Sequence, residues 1–335
     1  MSVSSLAAVN AEPIRRQGDP AWSEWTHELD IAVIIPCYNE EVAIPHVVRA
    51  VQGALPTARI YVFDNNSSDS TVAAAHAAGA IVRWEVLQGK GHVIRRAFAD
   101  VEADIYVLID GDATYDAAVA PQMIRMLVEK QLDMVTGTRI SDIAAAYRTG
   151  HRFGNRLLTG LVQMALGKRI TDMLSGYRVL SRRFVKSFPA PSVGLETETE
   201  LTIHALELRM PIGEIATAYR ERPAGSMSKL RTIRDGLRIF RTILILVKEE
   251  RPLPFFSLCG SLILLFGLVL SMPVLMEFAQ TGLVPRLPTA VLSASLVLLS
   301  FLSFFSGLIL DSVARGRKEM KRLAYLSIGA VADRF

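Results

Sequence analysis

An aspartate pair, Asp110 and Asp112, follows an apolar run at residues 105–109. Two carboxylates separated by one small residue can both reach a single divalent cation, and Gly111 between them lets the backbone come close to it. Hard oxygen ligands suit Mg²⁺ or Mn²⁺, which usually completes its coordination shell with phosphate oxygens of a substrate. An isolated Asp-x-Asp is more often a solvated turn. The metal hypothesis therefore depends on whether other polar residues lie at the same place.

The elements that must position this pair alternate between strands and helices. Strands are predicted at residues 31–37, 60–63, 80–84, 105–109 and 132–137, and helices at about 40–52, 69–78 and 91–101. This order favours an α/β fold with a mostly parallel, doubly wound sheet and helices on both faces. Ligands of such sheets bind beyond the carboxyl ends of the strands. The residues around the ends of the first two strands are therefore candidates for the same site, namely Pro36, Tyr38, Glu40, Asp64 and Asp69.

Composition and motifs exclude several functional classes. No Gly-x-Gly-x-x-Gly follows the first strand and no Gly-x-x-x-x-Gly-Lys-Ser/Thr is present, which argues against a dinucleotide-binding Rossmann domain and a P-loop NTPase. The net charge of +4, from 37 basic and 33 acidic residues, is too mild to predict a nucleic-acid partner. Two cysteines, Cys37 and Cys259, cannot build a disulfide framework and favour a reduced, cytosolic setting.

Two apolar runs near the C-terminus account for much of the 50% hydrophobic content of this 335-residue chain. Residues 252–276 and 287–310 contain no charged side chain, and each run exceeds the ~20 residues that a helix needs to cross a bilayer. The basic residues that flank the runs are Lys248, Arg251, Arg315, Arg317, Lys318, Lys321 and Arg322. By the positive-inside rule, both termini face the cytoplasm. We predict a transmembrane hairpin at residues 252–312 in the cytoplasmic membrane, and a basic cytoplasmic tail at 313–335.

The segment before the first apolar run has the pattern of a basic amphipathic helix. Arg231, Arg234, Arg238 and Arg241 recur at helical spacing, with apolar residues on another face. This pattern predicts an interfacial helix at residues 229–251, whose arginines lie at lipid phosphates. A surface helix of the soluble domain is the alternative. At the other end, residues 1–29 lack the apolar run of a signal peptide and are predicted to be a flexible tail.

Seven short motifs follow one another along residues 30–250. They are Pro36-x-Tyr38-Asn39-Glu40, Asp64-Asn65-x-Ser67-x-Asp69, Gly89-Lys90-Gly91, Asp110-Gly111-Asp112, Gly137-x-Arg139, Asp172-x-x-Ser175-Gly176-x-Arg178 and Arg222-Pro-Ala-Gly225-Ser-x-Ser228-Lys229. In this order they resemble the family 2 glycosyltransferases of GT-A fold. More narrowly, they resemble the polyprenyl-phosphate glycosyltransferases, the branch that contains dolichol-phosphate mannose synthase and bacterial undecaprenyl-phosphate sugar synthases. The paired C-terminal spans match the membrane-anchored members.

The resemblance implies a reaction and a set of partners. A catalytic domain at residues 30–228 would transfer a sugar from a UDP- or GDP-sugar to a polyprenyl phosphate, with inversion and with Mg²⁺ or Mn²⁺ as cofactor. The implied donor-binding residues are Pro36, Tyr38, Glu40, Asp64, Lys90 and Asp110. Asp110 and Asp112 would hold the metal on the donor diphosphate. On the acceptor side, Arg139 would meet the lipid phosphate, while Arg222 and Lys229 lie on a loop that closes over the site.

The chemistry of a lipid-phosphate acceptor favours cations over a base. A phosphate monoester is already an anion at neutral pH and attacks without losing a proton, so it requires cationic positioning. Arg139, Arg222 and Lys229 suit that task because arginine can hold phosphate through two parallel hydrogen bonds. Asp172 is the candidate if a general base exists. A structural ion pair between Asp172 and Arg178 is the alternative.

Two positions depart from the family pattern and two other functions stay open. Asn65 stands where many members have a second Asp, and Thr114 stands where the dolichol-phosphate mannose branch has Gln beside the metal. Asp116 is either a substitute metal ligand or a helix N-cap. The other functions are a glycolipid synthase that uses a lipid hydroxyl, and a catalytically silent membrane scaffold that binds nucleotide sugars. The sequence leaves the sugar, the nucleotide, the lipid length and homo-oligomerisation open.

Overall fold

The computed structural model of the chain describes residues 29–140, 171–190, 196–222, 248 and 251–331. Three predictions fall outside these residues, except at their margins: the flexible tail at 1–29, the candidate Lys229 and the amphipathic helix at 229–251. They stay predictions.

The elements that precede the apolar runs form one α/β unit. In chain order they are β1 (Ile31–Cys37), α1 (Ile44–Ala54), β2 (Arg59–Asp64), α2 (Thr71–Ala77), β3 (Ile81–Trp84), α3 (Lys90–Asp100), β4 (Ile105–Leu108), a 3₁₀ helix (Ala117–Val119), α4 (Ala120–Glu129), β5 (Met134–Ile140), β6 (Arg178–Ser181), α5 (Arg182–Ser187), α6 (Thr197–Glu207) and β7 (Ile212–Ala218). Two long helices follow, α7 (Pro252–Thr281) and α8 (Leu287–Leu326).

The seven strands form one sheet in the order β3-β2-β1-β4-β6-β5-β7. Neighbouring strands are parallel except where β6 lies antiparallel between β4 and β5. This topology confirms the predicted α/β fold with a mostly parallel sheet. The five predicted strands correspond to β1 to β5, whereas β6 and β7 have no counterpart among the predictions. β5 continues to Ile140, three residues beyond its predicted end, so Arg139 lies within the strand.

Burial on both faces explains the composition of the central strands. β1 is almost wholly buried and apolar because helices cover the sheet on both sides. Since successive side chains of a strand point to opposite faces, one strand contributes to two cores. Val33 and Ile35 belong to the core on one face, whereas Ala32 and Ile34 belong to the core on the other. The sheet is therefore a rigid support for the loops at its ends.

The helices α7 and α8 are long and apolar enough to cross a membrane. They pack as a hairpin, with small residues where they touch. A Cβ added to Gly260 would lie 3.1 Å from the carbonyl oxygen of Ser300, so a larger residue would push the helices apart. Ser303 Oγ also donates a 2.9 Å hydrogen bond to the carbonyl oxygen of Phe256 on the other helix. Close contact through small residues and interhelical hydrogen bonds is typical of membrane helix pairs.

The second apolar helix does not end with its apolar run. The sequence predicts a hairpin to residue 312 and then a separate tail, but α8 is one helix from Leu287 to Leu326. Its last turns contact the α/β unit, where Lys321 pairs with Glu207 and Tyr325 bonds to Asp133. The basic segment after the apolar run is therefore part of the packed structure.

Candidate active site

The loops that follow β1 and β2 are joined to each other by hydrogen bonds. The backbone N–H of Asn39 donates to Ser67 Oγ at 2.9 Å, and the N–H of Ser68 donates to Asn39 Oδ1 at 2.8 Å. The N–H of Glu40 donates to Thr71 Oγ1 at 2.8 Å. Asn39 also has a φ of 52°, in the left-handed region that asparagine tolerates better than most residues. These bonds place the loops side by side at what we call the carboxyl edge, the carboxyl ends of the parallel strands.

Asp64 ends β2 with a buried and partly unsatisfied carboxylate. Its side chain is 3% exposed, and Oδ2 accepts a 3.2 Å hydrogen bond from the N–H of Ser67. Oδ1 is buried and has no hydrogen-bond partner among the described residues. A buried acceptor without a partner is unfavourable unless a ligand supplies the donor. Oδ1 of Asp64 is therefore available for the predicted contact with a nucleotide.

Glycines let the backbone approach the aspartate pair closely. A Cβ on Gly111 would lie 2.5 Å from Cys37 Sγ and 3.3 Å from the carbonyl oxygen of Pro36, so only glycine fits between Asp110 and Asp112. A Cβ on Gly176 would collide with the Asp110 carboxylate. The two aspartates are thus held against β1 and against the loop before β6. Tyr38, by contrast, is partly exposed at the rim of the carboxyl edge.

Two cations hold the carboxylates of the pair. Lys90 Nζ lies 2.5 Å from Asp110 Oδ1, and Arg222 Nη2 lies 2.7 Å from Asp112 Oδ2. Arg222 also reaches Glu40, with 3.5 Å between Nη1 and Oε1. These five residues come from four separate predicted motifs. The structure therefore brings together side chains that the sequence singles out at widely separated positions.

The electrostatics of the pair follow from burial and crowding. Burial raises the pKa of Asp112, the nearby Asp110 carboxylate raises it further, and the Arg222 guanidinium opposes both. Burial alone would lower the pKa of Lys90, but the carboxylates of Asp110 and Glu198 raise it above its ordinary value. The ammonium is therefore charged at neutral pH. Together, the carboxylates of this site carry more negative charge than Lys90 and Arg222 neutralise.

The two aspartates fit a divalent metal ion that takes most of its ligands from groups outside the protein, such as substrate phosphates. Among the described residues, no group of three or more His, Cys, Asp or Glu side chains is arranged to hold a metal ion. Asp110 and Asp112 alone offer carboxylate oxygens across a glycine, which is the protein share that Mg²⁺ commonly uses beside substrate phosphates. Thr114 Oγ1 donates to Asp112 Oδ1 at 2.6 Å. Asp116 accepts a 3.1 Å hydrogen bond from the N–H of Ala118 and so caps the 3₁₀ helix. This is the helix N-cap role, one of the two alternatives for Asp116.

Asn65 has a structural task that an aspartate could not perform. Its amide nitrogen donates to the carbonyl oxygens of Glu85 at 3.0 Å and Leu87 at 2.8 Å, and its Oδ1 accepts from the N–H of Gly89 at 2.7 Å. A carboxylate has no donor for the two carbonyls. Asn65 therefore holds the loop that leads into α3, whose first residue is Lys90.

Arg139 and Asp172 form a two-pronged ion pair beside the aspartates. Nε and Nη2 of Arg139 lie 2.7 Å and 2.8 Å from the two oxygens of Asp172. The guanidinium carbon also lies 5.5 Å from the ring centroid of Tyr219, a cation–π contact. Burial alone would raise the pKa of Asp172, but the hydrogen bonds and charge of Arg139 lower it. A carboxylate with a lowered pKa is a poor proton acceptor.

The alternative ion pair between Asp172 and Arg178 is wrong. Arg178 is fully buried and donates instead to backbone carbonyls, at 3.0 Å to Ser175, 2.8 Å to Met173 and 3.0 Å to Glu198, as well as to the side chain of Thr202. A planar guanidinium with five donors can satisfy several carbonyls at once. Arg178 therefore ties α6 to the loop before β6.

Sequence reasoning missed Glu198. Its Oε1 forms an ion pair with Lys90, and its buried Oε2 has no hydrogen-bond partner within the described part of the chain. Burial raises the pKa of Glu198, although Lys90 opposes the shift. It lies in the segment Glu196-Thr-Glu198-Thr-Glu200, where alternating acids and threonines predict a solvated turn. All eleven residues of α6 are in fact buried, and no local pattern reports that.

Comparisons with known proteins give the family of the chain and several relatives. The glycosyl transferase family 2 model matches residues 32–188. The chain is 30% identical over 299 residues to glycosyltransferase AglJ of Haloferax volcanii, a match that covers 88% of this chain and 98% of the relative. It is 29% identical over 230 residues to a dolichyl-phosphate hexose transferase of the same organism, covering 68% of this chain and 98% of that protein.

One solved structure illustrates the similarity of fold. The crystal structure of Mycobacterium tuberculosis glucosyl-3-phosphoglycerate synthase in complex with Mn²⁺ and UDP-glucose matches 70% of this chain and 84% of its own chain. The TM-score is 0.57 at 22% sequence identity. The likeness supports the shared architecture of the sheet and its helices.

Arg178 gives a test of the support beneath the site. Arg178→Met removes the guanidinium donors to three buried carbonyl oxygens, of which that of Glu198 still accepts from the Thr202 hydroxyl. Each buried acceptor left without a donor costs about 1–3 kcal/mol. We expect the free energy of unfolding to fall by about 4 kcal/mol, and the melting temperature of the full chain in detergent to fall by about 10 °C. Arg182→Met, which removes a half-exposed arginine paired with the exposed Glu102, is the matched control and should change stability by less than about 0.5 kcal/mol. Equal melting temperatures for the two variants would contradict the role of Arg178.

Proposed function

The chain belongs to glycosyl transferase family 2, and from this premise we propose that it moves a sugar from a UDP- or GDP-sugar to a polyprenyl phosphate at the cytoplasmic face of a membrane. The observation that carries the proposal is the aspartate pair whose oxygens are held by Lys90 and Arg222. The relative named as a dolichyl-phosphate hexose transferase supports a lipid phosphate as acceptor. The two apolar helices support a membrane location.

The donor would bind along the loops after β1 and β2. Asp64 Oδ1 offers a buried acceptor for an N–H or O–H of the nucleoside, and Pro36, Tyr38 and Glu40 line the adjoining loop. A donor bound there would bring its diphosphate toward Asp110 at the end of β4. The structurally similar synthase that binds Mn²⁺ and UDP-glucose supports a nucleotide sugar as the donor.

The leaving diphosphate is the group that most needs stabilisation. A Mg²⁺ or Mn²⁺ ion held by Asp110 and Asp112 would act as a Lewis acid and neutralise part of the charge that grows on it. Lys90 and Arg222 already lie on those two carboxylates. When a diphosphate arrives, both cations have a second anion to bind, and Arg222 can do so through two parallel hydrogen bonds. Glu198 keeps Lys90 at this place through its own ion pair.

The acceptor would react as an anion. A phosphate oxygen of the lipid attacks the anomeric carbon on the face opposite the diphosphate, the new C–O bond forms, and the bond to the diphosphate breaks. The nucleoside diphosphate leaves, the anomeric centre inverts, and no proton has to be removed from the acceptor. Arg139 would bind the lipid phosphate while Asp172 orients its guanidinium. Lys229, outside the described residues, completes the predicted cationic set.

A lipid-hydroxyl acceptor is less well supported. A hydroxyl must lose its proton as it attacks, so the site would need an effective base. Asp172 is the candidate base, and its pKa is lowered by the hydrogen bonds and charge of Arg139. A silent scaffold is disfavoured as well, since it has no use for an aspartate pair held by two cations.

Asp112→Ala tests the metal-binding role. We expect sugar transfer to fall by at least about 100-fold because the charge of the leaving diphosphate loses its main support. The assay measures a labelled sugar entering polyprenyl phosphate in the presence of Mn²⁺ or Mg²⁺, with folding checked by circular dichroism and membrane binding by sedimentation. Asp116→Ala removes a nearby carboxylate that caps the 3₁₀ helix and should retain turnover. Unchanged turnover in Asp112→Ala would refute the metal assignment.

Arg139→Ala tests the acceptor side. Loss of a charge-assisted contact of about 1.5–3 kcal/mol should raise KM for the lipid phosphate by about 10- to 100-fold, with little change in KM for the donor. Arg139→Lys, which keeps the charge, should restore part of the loss. Arg220→Ala, an exposed arginine nearby, is the control. An equal loss of donor affinity would move Arg139 to the donor side.

A further inference from the structure

The end of α8 and the residues after it contact the α/β unit far from the carboxyl edge. We call residues 311–331 the C-terminal extension. Lys321 Nζ lies 2.7 Å from Glu207 Oε2, and Tyr325 OH donates to Asp133 Oδ2 at 2.8 Å. Val331 packs against one of the two cores of the sheet. The extension is therefore joined to the α/β unit at several points along its length.

Asp133 lies at the centre of the contacts between the C-terminal extension and the α/β unit. Its side chain is fully buried, immediately before β5. The hydroxyl of Ser181 donates to Oδ1 at 2.7 Å, and Arg183 donates to both oxygens at 2.5 Å and 3.0 Å. Tyr325 adds its hydroxyl, and its ring lies under the Arg183 guanidinium at 4.8 Å. A buried carboxylate whose oxygens are all bound specifies one geometry, because removing any partner is costly.

The two anchor points lie at different depths below the carboxyl edge. Glu207 ends α6, nine residues from Glu198 at the carboxyl edge, which is about 13 Å along a helix. Asp133 precedes β5, six residues from Arg139 at the same edge, which is about 20 Å along a strand. Asp133 is thus about 7 Å deeper than Glu207.

The spacing of the contacts on α8 matches that difference. Lys321 binds the shallower anchor and Tyr325 the deeper one, and their separation of four positions corresponds to about 6 Å along a helix. α8 therefore descends away from the carboxyl edge as the chain proceeds. Its apolar part must then lie on the side of the carboxyl edge.

The rise per residue of an α-helix also gives the position of the end of the apolar run. Asp311, the first charged residue after that run, lies ten residues before Lys321, or about 15 Å back along α8. Because the anchor of Lys321 is about 13 Å below the carboxyl edge, the apolar run ends at about the height of that edge. A membrane surface at residue 311 would therefore lie level with Asp110, Asp112 and Arg139.

We propose that the C-terminal extension is a strut that holds the carboxyl edge at the membrane surface. Lys321, Tyr325 and their partners Glu207, Asp133 and Arg183 are then positioning residues, which touch neither substrate. The geometric part rests on the described contacts and on α7 and α8 as the membrane-spanning helices. Only the consequence for a membrane-embedded acceptor rests on the proposed function.

Distances from labelled positions to the membrane test the geometry. The full chain, with Cys259→Ser to leave the buried Cys37 unlabelled, carries one dye either at Ile140→Cys on the carboxyl edge or at Thr57→Cys on the opposite edge. Energy transfer to a headgroup dye in liposomes should place position 140 about 20 Å closer to the bilayer than position 57. Equal distances, or the reverse order, would overturn the proposal.

Removing the contacts of the strut tests its necessity. The double variant Lys321→Ala/Tyr325→Ala should reduce the difference in distance between the two labels, whereas Arg322→Ala, which removes an exposed charge from the same turn, should preserve it. Tyr325→Phe keeps the ring under Arg183 and should lie between the two. An unchanged difference in the double variant would overturn the role of the contacts.

Two acceptors separate positioning from general damage. The double variant should lose about tenfold in transfer to long-chain polyprenyl phosphate in liposomes, and less than about twofold in transfer to a water-soluble short-chain isoprenyl phosphate. Equal losses with both acceptors, or no loss with either, would refute a positioning role. If the unaltered chain transfers sugar to neither acceptor, the proposed function fails, while the distance measurements still decide whether the strut exists.

Discussion

Four carboxylates share two cations at the carboxyl edge of the sheet: Asp110, Asp112, Glu40 and Glu198 surround Lys90 and Arg222. Grouping like charges in a partly buried place is unfavourable, and it raises the pKa of Asp112 through burial and through its neighbour Asp110. The surrounding structure makes this arrangement tolerable. Asn65 fixes the loop that delivers Lys90, and Arg178 fixes the helix that delivers Glu198.

In the proposed reaction, the same excess of negative charge would let one edge serve two anionic substrates. A metal–diphosphate would bring positive charge to the aspartates and offer new anionic partners to the cations. Arg139 forms its own ion pair with Asp172, so an acceptor phosphate and a donor diphosphate would have separate cationic partners in the proposed reaction. The contacts around Asp133 lie at the other end of the strands and connect the sheet to α8, the second of the two apolar helices.

Much of this arrangement follows from sequence, and the exceptions have physical causes. β1, β2 and β4 are predictable because both of their faces are buried, and the ends of the parallel strands are predictable as a site because they share one edge. β6 is only four residues long, begins with Arg178 and runs antiparallel. Neither a continuous apolar run nor an alternation of apolar and polar residues therefore predicts it. Glu198 and Asp133 are hidden for another reason. Their partners are Lys90, 108 residues away, and Tyr325, 192 residues away.

Product formation by the purified full chain tests the central claim most directly. The protein is incubated with Mn²⁺ or Mg²⁺, a panel of labelled nucleotide sugars, and either polyprenyl phosphate or a hydroxyl lipid such as polyprenol, diacylglycerol or ceramide. We expect one donor to give a lipid-extractable labelled product with polyprenyl phosphate, and no product with the hydroxyl lipids. Transfer to a hydroxyl lipid, or no transfer from any donor, would contradict the claim that this edge joins a sugar to a lipid phosphate.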